Sequence, residues 1–211
     1  MAQVTPQTTP KIALIICSSR TPRVGPDIAS WVSSSLSSST TDPSPVDLTI
    51  IDLASFPLPI SPCTLPIPAR QPLPLSENAY GVDSINAWSR EVQQYSGFIF
   101  LTPQYNWSFP AVVKCAIDHL YHEWAGKPAL VITYGTRGGD KCNQALRQVL
   151  NGVRMAEWQG SVLLPTGRGE SSDKGVLDEG VWKAWEEGGK REELLARWRE
   201  LVDLVKVEDA L

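Results

Sequence analysis

Hydrophobic positions in this chain fall into short unbroken runs separated by amphipathic stretches. Lys11–Cys17 reads KIALIIC, Gly97–Thr102 reads GFIFLT and Pro128–Tyr134 reads PALVITY. A strand with one wet face alternates apolar and polar residues. A continuous run of this length marks a strand buried on both faces, as in a parallel sheet. Val46–Ile51 and Ser161–Leu164 supply two further strand candidates. Between the runs, apolar residues recur at helical spacing. They are Ile28, Ala29, Val32 and Leu36 after Pro26, then Val82, Ile85, Trp88 and Val92 within Gly81–Tyr95. Phe109 to Leu120 and Gln144 to Val153 repeat the pattern, and Val176–Ala210 predicts a mostly helical tail striped by Leu194, Trp198, Leu201 and Val205. The alternation βαβαβαβα predicts an α/β fold: an open five-stranded parallel sheet with helices on both faces.

Length and punctuation refine this outline. A chain of 211 residues suits one medium domain. Residues 1–10 are expected to form a loose tail, and residues 11–211 a single domain ending in a helix. Ser37 to Pro45 is a surface loop by composition. Between Leu53 and Asn78, prolines recur at positions 57, 59, 62, 66, 68, 72 and 74 among leucines and isoleucines. Neither helix nor ladder tolerates that density. A long apolar loop of this kind is expected to pack as a lid or binding segment.

In open α/β sheets, ligands bind beyond the carboxyl ends of the strands, at the switch in strand order. With order 2-1-3-4-5 the first, third and fourth strands are neighbours, so the loops that follow them line one crevice. The first loop, Ser18–Gly25, offers two serine hydroxyls and the planar forks of Arg20 and Arg23, and it precedes a helix N-terminus. Those are the parts of a phosphate site. The second, Pro103-Gln104-Tyr105-Asn106-Trp107, sets two aromatics and two amides on a strand end, suited to a flat heteroaromatic ligand; Asn106 is also a candidate cap for the helix that follows. The third, Tyr134 to Asp140, holds three glycines in seven positions, which lets a ligand approach the backbone closely.

Composition removes several function classes. A net charge of −4 gives no sequence-blind grip on nucleic acid. No apolar run reaches membrane-spanning length. Cys17, Cys63, Cys115 and Cys142 lie far apart with no C-x-x-C, which argues against a zinc ribbon, a thioredoxin-type pair or a disulfide scaffold, and fits a reducing compartment. The first ten residues lack the features of a signal or transit peptide, so a cytoplasmic protein is expected. Asp118-His119 and His122-Glu123 do not converge as ligands on a helix, so no metal is expected. G-x-G-x-x-G after the first strand, the P-loop pattern and G-x-S-x-G are all missing.

Taken in order, Ser18-Ser19-Arg20 with Arg23-Val24-Gly25-Pro26, then Thr102-Pro103-Gln104-Tyr105-Asn106, the block Phe109 to Asp118, Glu123 to Pro128 and Tyr134 to Gly139 form a series. This series resembles the NADPH-dependent FMN reductases, the flavodoxin-like group that includes quinone, chromate and azo reductases. The resemblance implies a flavodoxin-like fold. It also implies an FMN phosphate held by Ser18, Arg20, Arg23, Val24 and Gly25. Pro103, Gln104, Tyr105 and Asn106 would contact the ribityl chain and ring, and Tyr134, Gly135, Arg137 and Gly138 would close on the ring. The family usually has glycine where this chain has Cys17, and glutamate where it has Gln104.

The activity so implied is a ping-pong hydride transfer from NADPH or NADH through FMN to a small-molecule electron acceptor such as a quinone, azo dye, metal oxyanion or free flavin. Arg137 and Tyr105 are the candidates for catalytic roles, Arg137 because a cation would balance the charge that the ring gains. Trp107 and Trp124, with Tyr121, are candidates to wall the substrate site or a subunit interface. Trp88, Trp158 and Trp198 read as packing residues. The resemblance implies a homodimer or homotetramer. Two other readings share these residues: a flavoenzyme specific to a natural-product intermediate, and a non-catalytic flavin-binding electron carrier. Arg20 and Arg23 count against the carrier.

Overall fold

A computed structural model describes residues 9–37, 46–60, 66–156, 159–168 and 174–208. The apolar run at the amino end becomes strand β1, Lys11–Ile16, buried at every position after the first. Four more strands join it: β2 (Asp47–Asp52), β3 (Gly97–Pro103), β4 (Ala129–Gly135) and β5 (Gln159–Pro165). All pair in parallel, in the order β2-β1-β3-β4-β5. β3 is buried along its whole length, which is why its sequence shows no alternation. The fold is flavodoxin-like.

Helices cover both faces. α1 (Gly25–Ser37) and the tail helices α5 (Glu179–Glu187) and α6 (Lys190–Glu208) pack on one face, where Ile12, Leu14 and Ile16 of β1 meet Ile28, Val32, Trp185, Leu201 and Val205. α2 (Asp83–Gln93), α3 (Ala111–Asp118) and α4 (Asp140–Gly152) cover the other, where Ala13, Ile15, Phe98 and Phe100 meet Ile85, Trp88, Val113, Ile117 and Leu146. Each such aliphatic or aromatic side chain taken from water stabilises the fold by about 1.5–3 kcal/mol. The tail is two helices, broken at Gly188 and at Gly189, which has φ 68°. The stripe expected for it is buried at Leu194, Trp198, Leu201 and Val205.

The proline-rich stretch contains two short 3-10 turns, Leu53–Ser55 and Pro68–Arg70, and no longer element among its described residues. It is pinned at Pro59 and Gln71, and the chain just beyond it at Tyr80. The carbonyl of Pro59 meets the His119 ring nitrogen at 2.8 Å and accepts from the Cys115 thiol at 3.0 Å. The Tyr80 hydroxyl donates to the buried Glu123 carboxylate at 2.8 Å, which also accepts from the Ser89 hydroxyl and the Tyr121 N–H. His122 sits against the Gln71 carbonyl at 3.1 Å. Both histidines therefore anchor this stretch. Cys63, Trp158 and the loop after Ser37 lie outside the described residues.

Trp124 corrects an expectation. It is 0% exposed, packed among Trp88, Phe98 and Phe100, with its indole N–H donated to the Ile117 carbonyl. It is core, and it cannot line a substrate site. Trp88 is equally buried, as expected.

Candidate functional site

The carboxyl ends of β1, β3, β4 and β5 meet at one rim. Two adjoining cavities open there, of about 530 Å³ and 640 Å³. Ligand sites usually occupy a few hundred to a thousand Å³. The first is walled by Arg20 to Val24, Pro103 to Tyr105, Tyr134 to Thr136 and Thr166 to Arg168. Gln104, Trp107, Gly135 to Arg137, Asp140, Lys141 and Arg168 wall the second. Gln104, Gly135, Thr136 and Arg168 belong to both, so the two form one continuous slot. The β3–β4 register places Pro103 opposite Tyr134, which brings the second and third loops together.

At the floor of the first cavity lies a small polar cradle. Tyr134 is buried, and its hydroxyl lies beside that of Ser18, without a hydrogen bond of ordinary geometry to any described group. Burial pushes its phenol up, so it keeps its proton and remains a donor. Beside it is the buried Ser18 hydroxyl. Gly25 roofs both: a Cβ there would stand 2.2 Å from Ser18 Oγ and 3.0 Å from the Tyr134 hydroxyl. Glycine is required at this point for that reason. Gly25 also begins α1, whose first-turn N–H groups have no acceptor within the helix.

The two loop arginines are placed differently. Arg23 is committed: its guanidinium grips Asp52 at the end of β2 through both terminal nitrogens, and Nη1 also donates to the Ser18 carbonyl at 2.8 Å. Arg20 is exposed and stands over the Tyr105 ring, its guanidinium carbon 3.8 Å from the centroid. It has no hydrogen bond or ion pair among the described residues. Of the two arginines expected at the phosphate, Arg23 is thus ion-paired within the protein.

In the second loop, Tyr105 and Ser108 exchange both backbone hydrogen bonds, at 2.8 and 3.0 Å. The two residues between them, Asn106 and Trp107, have φ of 47° and 68°. A turn of this kind ordinarily selects Asn-Gly, so the tryptophan is held in a backbone state unfavourable to it. Its side chain is 73% exposed at the lip of the slot, with Lys141 Nζ 5.9 Å from its ring. Asn106 makes the turn and does not cap α3, whose N-cap position is Pro110.

Gln104 has a second task. Gly139 occupies the N-cap of α4 in the left-handed region and supplies no side chain. The Gln104 amide oxygen takes over, accepting from the N–H groups of Lys141 at 3.1 Å and Cys142 at 3.2 Å. Gly138, at φ 86°, packs on Leu163, where a Cβ would meet Leu163 Cβ at 3.0 Å. Helix α4 consequently starts four residues earlier than its apolar stripe implies.

Of the residues expected from sequence, the slot gathers Arg20, Arg23, Val24, Pro103, Gln104, Tyr105, Trp107, Tyr134, Gly135 and Arg137. Ser18 and Gly25 lie beneath it, and Gly138 shapes a wall from behind. Tyr121 is elsewhere, with its ring against His122. Arg168, which lines both cavities, is an addition. It follows the end of β5, on the same rim, and that position alone marked it.

An open parallel sheet carrying a polar cradle and an aromatic lip at its switch point defines a flavodoxin-like α/β protein. Within that class the chain belongs to the NADPH-dependent FMN reductase family, whose profile matches residues 10–169. It is 37% identical over 204 residues to an NAD(P)H-dependent FMN reductase of Nectria sp, covering 93% of this chain and 97% of that one. A second relative, the NAD(P)H-dependent FMN reductase of Saccharomyces cerevisiae, is 40% identical over 160 residues, covering 74% and 82%. Among solved structures, the flavoenzyme NAD(P)H:(acceptor) oxidoreductase of Paracoccus denitrificans superposes with a TM-score of 0.55 at 18% identity, covering 94% and 98%; that likeness concerns the fold.

The residues present fit FMN. The Tyr134 and Ser18 hydroxyls at the base of the slot and the exposed Arg20 guanidinium beside Tyr105 suit a phosphate, and the adjoining slot suits a flat ring system. No helix among the described residues is long and apolar enough to cross a membrane.

Proposed function

We propose that this protein is an FMN-dependent NAD(P)H oxidoreductase that reduces quinones and related small acceptors by a ping-pong sequence. The slot where the loops after β1, β3 and β4 meet, with the Tyr134 and Ser18 hydroxyls at its base and Arg20 at its edge, is the observation that carries this reading. FMN, when bound, supplies a ring position that accepts hydride from a nicotinamide and passes electrons on. The phosphate would be held by Arg20, the Ser18 and Tyr134 hydroxyls and the first turn of α1. Tyr105 and Trp107 would flank the ring, and the Gln104 amide N–H2 would donate to it. Arg137, exposed and unpaired among the described residues, would place a positive charge where negative charge develops. Donor and acceptor would use the same mouth in turn, beneath Trp107.

A second copy of the chain is part of this reading. Ile67 and Leu73 in the proline-rich stretch and Trp107 at the slot are large exposed apolar residues, and such residues favour an interface. The free cysteines Cys17, Cys115 and Cys142 suit a reducing, cytoplasmic setting.

The test is a visible spectrum of the purified protein, followed by anaerobic addition of NADPH and then of a quinone. Yellow protein that NADPH bleaches and quinone recolours supports the proposal. Protein that takes up no added FMN, or a bound flavin that neither NADPH nor NADH bleaches, overturns it.

A further inference from the structure

The phosphate loop contains two arginines three residues apart in sequence, and their surroundings are opposite. Arg23 has its side chain 20% exposed, and its fork is matched to Asp52 at the carboxyl end of β2. Asp52 is fixed in turn, because it also accepts from the Ala54 N–H at 3.0 Å. The remaining reach of Arg23 goes to the Ser18 carbonyl at 2.8 Å and the Ser18 hydroxyl at 3.4 Å. Ser18 is the residue whose hydroxyl lies under Gly25. Thus Asp52, Arg23 and Ser18 form a chain of contacts running from the edge strand β2 to the cradle.

Arg20 has the reverse arrangement. It is held over Tyr105, and a guanidinium resting on an aromatic ring keeps N–H donors free for an anion. It is placed without being neutralised. Its position is set by the second loop, so the anion receptor and the ring-binding loop are joined.

We propose that Asp52, acting through Arg23, is a positioning residue that holds the Ser18 side of the cradle, so that Arg23, unlike Arg20, gives no donor to the phosphate. This rests on the FMN reading above. Arg23 keeps its ion pair when the cofactor is bound and contributes no donor to the phosphate. Because Asp52 cancels the charge of Arg23, the cradle attracts the phosphate through Arg20, neutral hydroxyls and a helix end.

The experiment measures dissociation constants of FMN and riboflavin for flavin-free protein by quenching of flavin fluorescence. The proteins are wild type, Arg20→Gln, Arg23→Lys, Arg23→Gln, Asp52→Asn and the Arg23→Gln/Asp52→Asn double variant. Riboflavin has the ring but not the phosphate, so a general loss of structure weakens both ligands, whereas damage to the cradle weakens FMN alone. Arg20→Gln should weaken FMN about tenfold or more, the scale of a charge-assisted hydrogen bond, and change riboflavin by less than about twofold. Asp52→Asn and Arg23→Gln should weaken FMN by similar factors, and the double variant by no more than either, because all three break one contact. Arg23→Lys should follow Asp52→Asn, since a lysine keeps the charge but cannot make the two-pronged bond.

Several results overturn this assignment. Arg23→Gln weakening FMN far more than Asp52→Asn would make Arg23 a phosphate ligand, as would Arg23→Lys retaining full affinity. Asp52→Asn binding FMN as well as wild type, with an unchanged melting temperature, would remove Asp52 from any positioning role. Equal losses for FMN and riboflavin in Asp52→Asn would reduce it to a general structural residue. If wild type binds neither flavin, the FMN reading fails and takes this inference with it; if wild type binds FMN and the pattern above is missing, only the inference fails.

Discussion

The Gln104 side chain, at the end of β3, caps a helix that begins 36 residues later: its amide oxygen accepts the Lys141 N–H at 3.1 Å. Gly139, which occupies the N-cap position, has no side chain with which to do so. Gln104 therefore joins the second and third loops of the slot. Its replacement by alanine should cost about 0.5–2 kcal/mol, the range for losing an N-cap, read as a lower midpoint in urea unfolding. Gln104→Glu should keep or raise stability, because a carboxylate at a helix N-terminus is favourable by roughly 0.3–1 kcal/mol. It should also lower the midpoint potential of the bound flavin by placing a negative charge at the ring. A stability loss in Gln104→Glu equal to that of the alanine variant would contradict the cap.

Trp107 is expected to separate stability from activity. Its backbone sits at φ 68°, where a side chain is penalised. Trp107→Gly should leave the melting temperature unchanged or raise it, by up to about 1 kcal/mol of relieved strain. The same change removes the exposed ring at the lip and should raise KM for a quinone. Loss of stability in this variant would show that the ring is packed and is not a lip.

Trp124→Ala should behave in the opposite way. Removing a fully buried indole from among Trp88, Phe98 and Phe100 should cost about 3–5 kcal/mol, seen as poor expression or a steep fall in thermal midpoint. Any protein that survives should have near-normal KM for its acceptor. A selective change in KM with stability intact would restore Trp124 to the substrate site.

Asp52 carries a pH signature. Burial alone would raise its carboxyl, but the hydrogen bond and charge of Arg23 and the Ala54 N–H outweigh this and hold it below the ordinary aspartate value of 3.8. A lowered carboxyl stabilises the fold fully above the unfolded value, and the benefit is lost as pH falls through the folded one. The difference in melting temperature between wild type and Asp52→Asn should be constant from pH 7 to about pH 5 and should shrink below pH 4. A difference that persists unchanged at pH 2.5 would mean that the carboxylate charge contributes nothing.

The sheet and the site differ in how far the amino-acid pattern reveals them. β1, β3 and β4 announce themselves because burial on both faces demands consecutive apolar residues. The crevice was legible too, since strand order alone brings the loops after Cys17, Thr102 and Tyr134 together. Helix α4 was misjudged at its start because its cap is donated by Gln104, and no local pattern reports a partner 37 positions away. The ion pair of Arg23 escapes the sequence for the same reason: Asp52 lies 29 residues downstream on another strand. Trp124 and Trp107 are alike in hydrophobicity, and only packing tells one from the other.

One contact ties the far end of the chain to the beginning of the site. Gly175 lies so close to the phosphate loop that a Cβ there would stand 2.8 Å from Pro22 Cβ and 3.1 Å from the Arg23 nitrogen. The segment behind it is anchored where the Trp185 indole donates to the Pro165 carbonyl at 2.7 Å. The loop after β1 is therefore backed by a residue about 150 positions downstream, so a change in the segment before α5 reaches the rim of the slot without replacing any of the residues that line it.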